Sequence, residues 1–148
     1  MRSRSSLYVL IVCCLIALGG IWFFSTLEHQ ESLPAFPATV NRDCAPWDGT
    51  AFTISMPVEE SVINISIYQS PDIRLPVTFS FPDGTGRVGS AFLLLPAGMP
   101  EELNGKVSFQ GVRQGIPVDG NFDLLTETGE QFKGRFKAEW ENQPVYCG

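Results

Sequence analysis

Histidine is nearly missing from this chain: the one copy, His29, lies close to the N-terminus. Catalysis through an imidazole needs that ring inside the folded part, beside a nucleophile or a reacting proton. His29 has no second metal-ligating residue type gathered round it and reads as a solvated linker residue. Cysteine is scarce as well. Of the four copies, Cys13 and Cys14 fall in an apolar run, which leaves Cys44 and Cys147 for the rest. Two such ligands are too few for a structural zinc centre, which takes about four. No metal and no cofactor is expected.

Basic side chains are also in short supply. Ten are present, and Arg2 and Arg4 precede the apolar run, so eight face sixteen acidic ones downstream. A surface of that sign repels phosphate backbones and anionic lipid, which argues against nucleic acid as a partner. No phosphate-binding loop is present either: Asp83-Gly84-Thr85-Gly86 lacks the lysine and the following helix, and reads as a hairpin turn.

Charge of either sign is missing from residues 7–24, LYVLIVCCLIALGGIWFF. At about 1.5 Å per residue such a helix reaches about 27 Å, close to the ~30 Å hydrocarbon core of a bilayer. Arg2 and Arg4 favour the cytoplasmic side and Trp22 suits the far interface, giving one span with the N-terminus inside. Ala17-Leu18-Gly19 offers a small-residue cleavage pattern, so a secreted domain after signal-peptide removal is the alternative. A cut there leaves Gly-Ile-Trp-Phe-Phe as an exposed apolar start, which favours the retained anchor. The expected organisation is a basic tail at 1–6, a transmembrane signal anchor at 7–24, a stalk at 25–40 stiffened by Pro34 and Pro37, and an extracytoplasmic domain at 41–148.

That placement decides how Cys44 and Cys147 are read. Outside the cytoplasm, whether periplasmic, extracellular or lumenal, paired cysteines become disulfides. These two bracket the domain.

Beyond the anchor no stretch sustains a helical period, though 99–103 has room for a single turn. Strand patterns recur about every ten residues between turn signals: 50–56, stopped by Pro57 and Glu59-Glu60; 61–68, with Ile63, Ile65 and Ile67 on one face; 76–81; 87–95; and 105–110. A loop is expected at 96–104. The clearest signal is a hairpin over 116–140. Val118, Gly120, Phe122 and Leu124 alternate with Asp119, Asn121 and Asp123 on its first arm. Phe132, Gly134, Phe136, Ala138 and Trp140 alternate with Lys133, Arg135, Lys137 and Glu139 on its second. A three-residue loop of Glu127, Thr128 and Gly129 puts glycine where such loops turn left-handed. The register then sets Asp123 against Lys133, Asp119 against Lys137, Phe122 against Gly134 and Phe136 against Gly120. About seven short strands with a terminal bridge imply an all-β fold, a small antiparallel sandwich or flattened barrel.

Chemistry-bearing clusters are few. Glu59-Glu60 and Glu101-Glu102 are adjacent pairs beside prolines, and neighbours on a strand point to opposite faces, so they read as solvated turns. Asn64-Ile65-Ser66 matches a glycosylation sequon. The densest segment is Cys44-Ala45-Pro46-Trp47-Asp48-Gly49. Trp47 and Asp48 are its candidate recognition residues; otherwise Trp47 covers the bridge and closes the core. The function expected is non-catalytic: an anchored protein-interaction or accessory domain, or a module for a small apolar or sugar ligand.

Overall fold

The computed structural model describes residues 33–141 and 144–147. The basic tail, the transmembrane segment expected at 7–24 and most of the expected stalk lie outside the described residues. What is described is all β, with no helix. Eleven strands form, against the seven or so expected: β1 (Ala35–Cys44), β2 (Thr50–Val58), β3 (Ser61–Ile67), β4 (Asp72–Ile73), β5 (Val77–Phe81), β6 (Gly89–Leu94), β7 (Glu101–Glu102), β8 (Asn104–Phe109), β9 (Val112–Arg113), β10 (Val118–Leu125) and β11 (Gln131–Trp140). Nine of them make one sheet in the order β5-β8-β10-β11-β1-β2-β3-β6-β7, and β4 with β9 makes a separate ribbon.

The nine-stranded sheet is a single curled layer, a half-barrel, in place of two stacked sheets. Its curl is visible where β5 and β6 meet: six strands separate them in the hydrogen-bonded order, yet the Phe81 ring comes within 3.1 Å of where a Cβ on Gly89 would stand. Period-two patterning drives this closure, because each strand turns one apolar row inward. Val40, Phe52, Ile54, Met56, Ile63, Ile65, Ile67, Val107, Val118 and Leu124 are sealed from solvent. Phe109 sits at the centre of the ring packing, edge-on to Phe52, Phe79 and Phe136 at 5.9, 5.8 and 5.9 Å. Phe52 and Phe109 belong to strands far apart in the sheet order, so their contact crosses the interior.

The hairpin of β10 and β11 has the expected register at all four positions: Asp119 opposite Lys137, Gly120 opposite Phe136, Phe122 opposite Gly134 and Asp123 opposite Lys133. Lys133 and Asp123 form an ion pair at 3.6 Å. Gly129 takes φ 93° in the turn. Phe136 lies over Gly120 as the pairing implies. Gly134 differs. The ring packed on it is Phe36 of β1, which in turn meets Phe122 edge-on at 5.2 Å.

Strand β1 corrects the stalk boundary. Residues 35–40, read as linker, pair in parallel with β11, and residues 39–44 pair antiparallel with β2. The compact unit therefore begins at Leu33, not at Asn41. Pro37 is tolerated because it falls where β1 has only β11 beside it. The β1–β11 pair also makes the sheet mixed, where a wholly antiparallel one was expected. Likewise β2 runs through Pro57 to Val58, past the stop read there, since β1 no longer flanks it beyond Ser55. The segment given room for a helical turn at 99–103 contains β7, whose Glu101 and Glu102 pair with Leu93 and Phe92.

Candidate functional site

The loops gathered at the Cys44 end of β1 carry the features that the interior does not absorb. Residues 45–49 join β1 to β2 in a closed turn. The Ala45 N–H donates to the Gly49 carbonyl at 2.8 Å and the Asp48 N–H to the Ala45 carbonyl at 3.1 Å. Asp48 adopts φ 63°, a left-handed conformation that aspartate accepts more readily than most residues. The turn lifts Trp47 to its apex. The indole passes 3.0 Å from where a Cβ on Gly49 would stand, so that position needs glycine for close approach. Trp47 stays 49% exposed and meets Tyr68 edge-on at 5.4 Å. The Tyr68 hydroxyl is hydrogen-bonded to Ser90 at 2.9 Å.

Cys44 and Cys147 form the expected disulfide, with Cα atoms 5.5 Å apart and 103 residues between them in sequence. The bridge holds the C-terminal segment against the end of β1. Val145 and Cys147 line a shallow hollow with Arg42, Asp43, Thr50, Ala51, Ser70 and Pro71. Tyr146 points away from it, 91% exposed. The pairing of Cys44 and Cys147 is compatible with an oxidising, extracytoplasmic location.

Beside this hollow the β4–β9 ribbon caps the core. Val112 is buried and Ile73 half-buried against the core cluster, with Asp72 opposite Arg113 in the ribbon. The connection from β9 to β10 is tied down twice. Arg42 donates to the Gln114 side chain, and the Trp140 indole donates to the Ile116 carbonyl at 2.8 Å. Between ribbon and β10 lies an open depression of about 260 Å³, lined by Ile73, Arg74, Val112, Arg113, Ile116, Pro117 and Asp119 among others. Arg74 is paired only loosely with Asp72, at 3.5 Å with both side chains exposed.

The structure thus places Trp47 and Asp48 at the same end as the disulfide and brings Tyr68, Arg74, Arg113, Ile116 and Tyr146 there too. Sequence reading missed these last five. Arg74, Arg113, Ile116 and Tyr146 belong to the ribbon, its flanks and the C-terminal tail, whose pairings leave no periodic trace, while Tyr68 is brought to the site by the long-range contacts with Trp47 and Ser90. Leu75, 75% exposed, follows Arg74 directly.

Other positions weighed from the sequence lie elsewhere. Glu59 and Glu60 form the exposed β2–β3 turn, with Glu59 at φ 53°. Asn64 is on the outer face of β3, and its Oδ1 is enclosed without a hydrogen-bond partner. Asp83 closes its own loop. Partial loss of hydration works against the ionised form, but the N–H groups of Val88, Thr85 and Gly86 and the Thr85 hydroxyl outweigh it and hold the carboxyl below the ordinary aspartate range. Its oxygens are thereby committed to the turn. Among the described residues no three histidine, cysteine or acidic side chains gather as a metal site. His29 lies outside the described residues. Compared with known proteins, the chain matches no family model, no curated protein and no solved structure.

Proposed function

We propose that the chain is a single-pass, membrane-anchored protein whose β domain works outside the cytoplasm as a non-catalytic interaction or accessory domain, docking a protein partner through the loops at the Cys44 end of the sheet. One contrast carries this reading. The interior that a ligand module would need open is filled by Phe52, Phe79, Phe109, Phe122 and Phe136, whereas the exposed aromatic residues Trp47 and Tyr146 lie with Leu75 and Ile116 on loops at the Cys44 end; the opposite end exposes Leu95, Met99 and Leu125, none of them aromatic. Aromatic side chains with arginine between them are the residues that most often anchor protein partners. Within the β domain, β1 begins at Ala35, at the end of the strand opposite Cys44.

Docking by an added strand is the weaker route. The sheet ends on β5, five residues long between Pro76 and Pro82, and on β7, two residues long. Short edges bounded by proline resist pairing with another chain. Chemical crosslinking of the full-length protein in its native membrane, followed by mass spectrometry, tests the proposal. It expects one dominant partner joined through the Cys44-end loops. No partner above background overturns it.

A further inference from the structure

Resting on that reading, we infer that the C-terminal segment at 144–147 is a redox-controlled strap of the docking end: the closed bridge displays Tyr146 and covers Ala51, and reduction releases both. Ala51 carries the first observation. Period two sets it on the face of β2 opposite Phe52 and Ile54, and it lies outside the core cluster, yet it is only 2% exposed. Val145 and Cys147 line one hollow with it and with Ser70 and Pro71. Its cover therefore comes from outside the sheet, and the tail is part of that cover.

The second observation is how little else holds the tail. Among the described residues no backbone hydrogen bond joins 144–147 to the sheet. Val145 is half-buried, while Pro144 and Tyr146 are exposed. Half-burying one valine offsets less than the cost of fixing the backbone of this segment, so it keeps its place only while Cys147 is joined to Cys44. Tyr146 holds its position at the docking end through that bond. Both cysteines are half-buried, not sealed, so a small dithiol reaches the bridge. One of its thiolates attacks a bridge sulfur, forming a mixed disulfide and freeing the other cysteine as a thiolate; its second thiol then displaces the cysteine still attached. The reductant leaves as a disulfide, having given up two electrons and two protons, and Cys44 and Cys147 end as thiols. Tyr146 is then withdrawn from the docking end and Ala51 uncovered, so docking follows the thiol–disulfide balance of the compartment.

The test uses the full-length protein in detergent micelles, observed by NMR before and after reduction with dithiothreitol, with the thiols gained counted by alkylation and mass spectrometry. On reduction the Val145 backbone order parameter should drop from ~0.85 to below ~0.6. A soluble gadolinium chelate should then relax the Ala51 methyl group, which it leaves untouched in the oxidised protein. The hairpin resonances of β10 and β11 should stay in place, and Cys147→Ser should match the reduced protein without any reductant. Val145 still rigid, or Ala51 still shielded, once both thiols are free overturns the inference. Loss of the hairpin resonances also overturns it, because the bridge would then support the sheet and not a strap alone. Crosslinking in the native membrane, repeated after reduction, separates the two proposals. Full capture of the partner after reduction leaves the interaction reading standing and removes this one. Strap release with no partner captured in either state removes the interaction reading and leaves the redox release.

Discussion

Breaking the Cys44–Cys147 bridge probes the fold without touching its core, because the bridge joins the end of β1 to a tail that lies outside the sheet. The Cys44→Ser/Cys147→Ser variant keeps every strand pairing. Its cost should come almost wholly from the unfolded chain, which gains freedom when a 103-residue loop is opened. In the chain-entropy model that loop is worth about 4.7 kcal/mol at 25 °C, and measured bridges commonly give about 2–4 kcal/mol. Urea titration of the unit Leu33–Gly148, followed by far-ultraviolet circular dichroism and tryptophan fluorescence, reads the difference. The variant should show an unchanged native spectrum, a midpoint shifted by about 2–4 kcal/mol of stability, and a steeper denaturant slope from its more open unfolded state. A loss below about 1 kcal/mol refutes the unfolded-state argument. So does a native spectrum with altered strand content, since the sheet would then depend on the bridge for its structure.

Three further outcomes follow from particular contacts. Gly120→Ala forces a methyl group into the Phe136 ring and the Ser108 carbonyl, and should cost about 1–3 kcal/mol by thermal or urea unfolding; Gly129→Ala, in open space at φ 93°, should cost only about 1 kcal/mol from backbone strain. Phe109→Ala removes the ring that three others pack against and should cost about 3–5 kcal/mol in the same assay, with far-ultraviolet circular dichroism still reporting strands. Asp83 titrates below its ordinary value of 3.8 when folded, so its stabilising effect is present above that pH and fades as the pH falls through the folded value. Asp83→Asn should therefore lower the melting temperature at neutral pH, and the gap to wild type should close on acidification; a gap that widens in acid contradicts the turn's dependence on the carboxylate.

The hairpin was readable because its information is local. Alternation, opposite charges on the wet face and a glycine turn all lie within 25 residues, and a one-residue slip would break every pair together. The disulfide was readable for a different reason: only two cysteines remained outside the apolar run. Strand β1 was not. Ala35-Phe36-Pro37-Ala38 carries a proline and little bulk, and its partner Arg135–Trp140 segment lies about a hundred residues away, so nothing nearby marks it as a strand. The Phe36 ring over Gly134 escaped for the same reason, since the glycine's local partner, Phe122, fitted the pattern equally well. At the candidate site Trp47 and Asp48 stood out through their dense turn chemistry. Arg74, Arg113 and Ile116 carry no such mark, because the two-residue strands that bring them together are too short for any periodic signal.

Site-specific photo-crosslinking in the native membrane tests the central claim most directly. A photoreactive residue at Trp47 or Tyr146 samples the loop end, and one at Asn121 samples the charged outer face of the hairpin. The account predicts one protein partner captured from Trp47 and Tyr146 and little from Asn121. Capture of that partner from Asn121 alone, or of none from the loop end, would contradict it.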